Sequence, residues 1–165
     1  VSKSGRPKKT HRPSRERVSL ELPPYAVNIT KSAKAVYLEL RQRSLNAEAK
    51  GNHSSHHCKT FRIIDDAIRR LIPSDPLNSK YALHKPLNGF YRMSKGRLRL
   101  VWAVLQEHRE LMIVFVSTDP RKEGDTRDPY AVVTAMKKSG YLDSLIDDWR
   151  RAKEALSVPP GAPIN

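Results

Sequence analysis

The sequence predicts an α+β domain in which a helical hairpin packs on a small antiparallel sheet, with further helices at the C-terminal end. Three observations predict it. Between residues 89 and 130 strand-forming residues crowd together, with Phe90, Tyr91, Val101, Trp102, Val104 and 112–116 separated by polar turns. Upstream, two stretches carry apolar residues at helical spacing. Along residues 97–105 the period falls to two. Leu98, Leu100, Trp102 and Val104 take one face; Arg97, Arg99, Val101, Ala103 and Leu105 take the other. The first face is apolar throughout and must be covered by helices. The second is cationic at its start and apolar further along, so that end of the sheet presents arginines.

A chain of 165 residues suits one domain with its own core. Its 31 Lys and Arg against 17 Asp and Glu give a net charge of +14. That surplus favours a polyanionic partner, nucleic acid ahead of an anionic membrane surface. The single cysteine, Cys58, rules out an internal disulfide and fits a reducing compartment. No apolar run approaches the ~20 residues of a membrane span, and no signal-peptide core precedes Val18. A soluble cytoplasmic protein with no membrane partner is expected.

Taken in order, residues 1–24 form a basic tail, expected to be disordered because it has too little apolar surface to offset its ordering entropy. It suits either an RNA-contacting arm that releases counterions or a solubilising segment. Within 18–25 lies a short extended stretch ended by Pro23-Pro24. The domain proper is read as 25–156, and 157–165 as a C-terminal tail. Thr30 caps a helix carrying Ala33, Val36, Tyr37, Leu40 and Leu45 up to Gly51. A second helix starts near Ser54 or Ser55, buries Phe61, Ile64, Ile68 and Leu71, and is ended by Pro73. Residues 73–88 are irregular, with 81–84 as a short strand. Two hairpins follow, turning at 94–96 and 106–110; Gly96 is free to take a positive φ. Asp128 caps, and Pro129 opens, a helix running to Lys138 and ended by Ser139-Gly140. A last amphipathic helix runs from Leu142 or Asp143 to about Leu156, with Leu145, Ile146 and Trp149 on one face.

His53, His56, His57 and Cys58 invite a zinc reading. Zinc sites draw ligands from two separated pairs, however, and there is no second cysteine and only isolated histidines elsewhere. A polar helix start accounts for them better, and neither metal nor other cofactor is expected.

The chemistry-bearing residues gather elsewhere. Arg92 lies across the 94–96 turn from Arg99, and Arg121, Lys122, Arg127 and Tyr130 follow the last strand. Guanidinium groups grip phosphate oxygens in pairs and stay charged. A tyrosine stacks on a base or polarises a hydroxyl. RNA carries its own nucleophile, the 2′-hydroxyl, so Arg92, Arg99, Arg121 and Tyr130 suffice for cofactor-free cleavage. Lys85, Lys95, Arg97, Lys122 and Arg127 are the expected RNA-binding cations. No histidine pair accompanies them: His84 and His108 are isolated, so the general base is weak. Residue types alone leave open a ribonuclease and a non-catalytic RNA- or ribosome-binding protein.

Three features together resemble the YhaV-type toxins of the RelE/ParE superfamily of toxin–antitoxin systems. They are the turn followed by Gly96-Arg97-Leu98-Arg99-Leu100-Val101-Trp102, the apolar strand ending in Thr118-Asp119, and the basic loop closing on Asp128-Pro129-Tyr130 before a helix ending Lys138-Ser139-Gly140. The likeness covers about residues 26–142; the tail 1–24 and the last helix have no counterpart. It implies a RelE-like fold with a curved sheet and an open concave face. It also implies an mRNA interferase acting on the ribosome, held by a cognate antitoxin. Arg99 matches the arginine that steadies the transition state, Arg121 the second catalytic cation and acid, Tyr130 the tyrosine before the final helix, and Arg92 the basic residue of the preceding strand. The loop 120–126 departs from the family in length, so Arg121, Lys122 and Arg127 all stand as candidates for that cation. A gyrase-inhibiting ParE-like role is disfavoured by the Arg92, Arg99 and Tyr130 combination.

Overall fold

In the computed structural model, which describes residues 22–119 and 128–156, helices cover both faces of a four-stranded sheet. Strands β1 (Ala26–Ile29), β2 (Phe90–Lys95), β3 (Leu98–Leu105) and β4 (Glu110–Ser117) lie in the order β1-β4-β3-β2. The β2–β3 and β3–β4 pairs are antiparallel, as expected, whereas β1 joins the edge of β4 in parallel, so the sheet is mixed. This strand is the main departure from the sequence reading. It lies just after Pro23-Pro24, and its four residues look like the lead-in to the helix that follows. The stretch 81–84 contributes only a single bridge, from Ala82 to Tyr91. The basic tail and the C-terminal tail fall outside the described residues, except for 22–24. Among the described residues no helix is long and apolar enough to cross a membrane.

Helices α1 (Lys31–Ala49) and α2 (His56–Asp66) form the expected hairpin over the first face. Thr30 caps α1, its hydroxyl accepting from the Ala33 amide at 3.3 Å, and Ser55 caps α2 by accepting from the Cys58 amide at 3.1 Å. Ala33, Leu40, Ile64 and Ala67 pack against Leu98, Leu100, Trp102, Leu111 and Ile113. Leu45 was expected inside but is 45% exposed; Ser44, four residues on from Leu40, is buried instead. The small side chain lets α2 approach closely enough for the Cys58 thiol to donate to the Ser44 carbonyl at 3.5 Å.

The end of the second helix also differs from expectation. Beyond Asp66 it widens into a π-helical stretch, Ala67–Leu71, and closes with Ile72–Ser74. A π-turn takes one extra residue, which slips the inward phase by one position. Ile72 is therefore fully buried while Leu71 is 36% exposed, and Pro73 sits inside the final turn.

Among the described residues, helices cover the second face at one end only. Helices α3 (Pro129–Lys138) and α4 (Tyr141–Leu156) bring Val133 and Leu142 onto Phe90, Val101, Ala103 and Val114. The ladder steps from Val101↔Phe115 to Trp102↔Ile113, leaving Val114 as a bulged residue. The bulge resets the alternation of β4 so that Ile113 and Leu111 join the first core while Val114 joins the second. Helix α4 is tied to the far end of the sheet through Glu110. That carboxylate accepts from Trp149 Nε1 at 3.2 Å and Asn28 Nδ2 at 3.2 Å, and pairs with Lys153 Nζ at 2.5 Å.

Two stability measurements test this packing. Ile72→Ala is expected to cost about 2–5 kcal/mol in urea unfolding and Leu71→Ala under ~1 kcal/mol; the reverse order would mean an uninterrupted α-helix. Burial pushes the Glu110 carboxyl up, but bonds from Lys153, Trp149 and Asn28 outweigh it and hold its pKa below the ordinary value. The unfolded chain then takes up this proton first. Its contribution is complete above the usual glutamate pKa of about 4.3 and fades as pH falls through the depressed folded value. Glu110→Gln should thus lose about 1–3 kcal/mol at neutral pH, with the gap closing in acid.

Candidate functional site

The end of the second face that no described helix covers is where the expected side chains meet. In the β2–β3 ladder Arg92 stands opposite Val101 and Ser94 opposite Arg99. Directly opposed residues project to the same face, so Arg92, Ser94 and Arg99 share it. The tip of this hairpin is the two-residue turn Gly96-Arg97, one step later than expected, and Gly96 takes φ +58°. Arg99 donates from Nη1 to the Gly96 carbonyl at 2.5 Å and to its neighbour Leu98 at 2.8 Å, which fixes the guanidinium against the turn.

The start of α3 supplies the remaining group. Asp128 accepts from the Ala131 amide at 3.2 Å and Pro129 occupies the first helical position, so Tyr130 begins the helix over the edge of β2. Its phenol oxygen accepts a hydrogen bond from Arg92 Nη1 and shares another with Ser94 Oγ at 3.2 Å. The Arg92 guanidinium carbon lies 5.0 Å from the centre of the same ring. Burial pushes the Tyr130 phenol up, but the bonds from Ser94 and Arg92 and the charges of Arg92 and Arg99 prevail, leaving its pKa below the ordinary tyrosine value. Two arginines and a hydroxyl thus surround a phenol whose pKa they hold below the ordinary value.

Arg92, Arg99 and Tyr130 are therefore brought together. Ser94 belongs with them and was read only as a turn residue; its place two residues on from Arg92, on the same face of β2, was the available signal. Lys95 and Arg97 lie elsewhere. Together with His56, His57 and Lys59 they line a separate hollow of about 450 Å³ between the hairpin tip and α2. Lys85 is exposed in the loop leading into the Phe90 end of β2, away from the tip. Arg121, Lys122 and Arg127 lie outside the described residues. His108 sits beyond Leu105, at the opposite end of β3 from Arg99. Among the described residues no group of three or more His, Cys, Asp or Glu is placed to hold a metal ion. Cys58 is instead enclosed within the α1–α2 hairpin, its thiol also 3.5 Å from the Asn52 carbonyl.

Comparison with known proteins bears on what this cluster does. The family model Toxin_YhaV, described as a toxin with endonuclease activity of a toxin–antitoxin system, matches residues 28–154. Two solved structures are similar at low identity. One is the RelBE2 toxin–antitoxin complex of Mycobacterium tuberculosis, 20% identical, with TM-score 0.43, covering 57% of this chain and 90% of that chain. The other is the isolated RelE toxin of E. coli, 14% identical, with TM-score 0.44, covering 69% and 97%. Comparison with curated proteins finds no match.

The electrostatics of the phenol can be read directly. With tyrosines labelled at the ring Cζ, NMR titration should show Tyr130 ionising below the ordinary value of about 10. Arg92→Ala should move it upward, since the donor and a positive charge are lost while burial remains. An unchanged or lowered pKa in that variant would contradict the geometry.

Proposed function

The chain belongs to the YhaV family of toxins with endonuclease activity, and on that premise we propose that it cleaves messenger RNA by attack of the 2′-hydroxyl on the adjacent phosphate, without a metal ion. The observation that carries this reading is the meeting of Arg92, Ser94, Arg99 and Tyr130 in one electropositive cluster. The RNA supplies the nucleophile, so the protein needs only to orient it, move its proton and neutralise the phosphorane.

Tyr130 suits the proton transfer. Its phenolate, stabilised by Arg92 and Ser94, accepts the proton of the 2′-hydroxyl as the 2′-oxygen bonds to phosphorus. Arg92 and Arg99 hold the non-bridging oxygens while negative charge builds on them; Arg99 is already anchored to the turn and loses little freedom on binding. The phosphorus–5′-oxygen bond then breaks, and the leaving 5′-oxygen takes a proton from water. The products carry a 2′,3′-cyclic phosphate and a 5′-hydroxyl. Arg121, following β4, is retained as a further cation for the phosphorane.

The toxin domain in this reading spans residues 25–156. Its substrate is messenger RNA, which it meets on the ribosome in the cytoplasm and also cuts when free, and its inhibitor is a cognate antitoxin protein whose acidic segments complement the basic face.

Expression without the antitoxin should arrest growth, and Tyr130→Phe or Arg99→Ala should relieve the arrest. Purified protein should cut messages to 5′-hydroxyl ends in a translating extract, and should cut isolated transcripts with chelator present. Each substitution should slow cleavage about 10²–10³-fold. Intact transcripts that remain bound to the protein would replace the enzyme by a non-catalytic RNA- or ribosome-binding protein.

A further inference from the structure

The tip of the β2–β3 hairpin carries cations on both faces. One face holds Arg92 and Arg99 beside Tyr130. On the other a hollow of about 450 Å³ opens between the tip and the first turns of α2, where Arg43, His56, His57, Lys59, Lys95 and Arg97 line it and, among the described residues, no carboxylate does. Strand alternation places it there: Lys95 follows Ser94, so it projects to the opposite face and pairs with Leu98, the first residue of the apolar face. Arg97 stands at the turn itself, between the two faces. The capped start of α2 adds the positive end of a helix dipole beside His56 and His57.

Folding has only partly neutralised these charges. Arg43 is bonded to Glu39, and the charge of Lys95 reaches Asp66. Among the described residues Lys59 and Arg97 enter no ion pair. A concave surface with excess cations, ring N–H donors and the Thr60 hydroxyl at its wall is matched to an extended anion with many oxygens.

We propose that this hollow binds backbone phosphates of the same RNA strand whose scissile phosphate lies at Arg92, Arg99 and Tyr130, so that the strand bends around the hairpin tip. The inference rests on the ribonucleolytic reading for the identity of the polyanion. It adds that recognition extends past the cut site, to nucleotides held on the other side of the sheet. Phosphate binding of this kind fixes position and register without reading bases.

The test uses 2′-O-methyl oligonucleotides, which lack the nucleophile and stay intact: a trinucleotide, long enough for the Arg92, Arg99 and Tyr130 cluster alone, and a decanucleotide. His56, His57, Lys59 and Arg97 are exposed, so His56→Gln/His57→Gln/Lys59→Gln and, separately, Arg97→Gln leave the core untouched. The parent should bind the decanucleotide more tightly than the trinucleotide. In the triple variant that advantage should shrink about 10–100-fold. The slope of log affinity against log salt should also fall by about 0.7 for each phosphate that the variant no longer neutralises. An advantage and a slope equal to the parent's would overturn the inference. So would unchanged RNA binding alongside weakened antitoxin binding, which would assign the hollow to an acidic protein segment. Cleavage of an unmodified decanucleotide by the parent, run in parallel, separates the two readings. A parent that binds with the expected advantage but does not cut loses the ribonuclease assignment and keeps the hollow.

Discussion

The register of β2 on β3 is the constraint on which the candidate site depends. Ser94 opposite Arg99 puts two arginines and a hydroxyl on one face, and the apolar series from Leu98 to Val104 holds that register by requiring the other face to be buried. A slip of one residue would turn Arg99 into the helical hairpin and Leu98 and Leu100 toward water. Trp102 enforces the arrangement most strongly. It is fully buried, its ring packs against Tyr81 and Tyr91, and its indole N–H donates to the Pro76 carbonyl at 3.0 Å. The apolar half of the hairpin thereby fixes the direction of the polar half.

Among the described residues, helices cover only the Phe90 end of the second face. Phe90, Val101 and Ala103 are buried beneath α3 and α4, while Arg92 and Ser94, further along β2, remain exposed. Tyr130 sits at the boundary, the second residue of α3, with its phenol bonded to Arg92 and Ser94 of β2. Gathering cations around a phenol works against folding through self-repulsion, and the cores on the two sides offset that.

The hairpin, its face assignment and the caps Thr30, Asp128 and Pro129 were legible in the sequence. Each depends on a local rule: alternation, a side-chain acceptor at a helix start, or a fixed φ. What was not legible depends on longer-range geometry. β1 is too short to carry a pattern and is defined by its pairing with β4. The π-turn in α2 changes the phase of Leu71 and Ile72 without any glycine or proline ahead of it to mark the change. At the site, the sequence left it to the register whether Arg92 shares a face with Arg99, and it grouped Lys95 with them. Parity along β2 separates these residues, and parity carries meaning only once the turn is known to be Gly96-Arg97.

The enclosure of Cys58 has a practical consequence. It is the chain's single cysteine, has no exposed surface, and is wrapped by the Ser44 and Asn52 carbonyls inside the α1–α2 hairpin. A thiol-labelling reagent therefore has one atom to react with, and reaches it only when the two helices part. The native chain carries its own clock for the opening of that hairpin, needing no engineered probe, and the labelling rate gives the free energy of that motion.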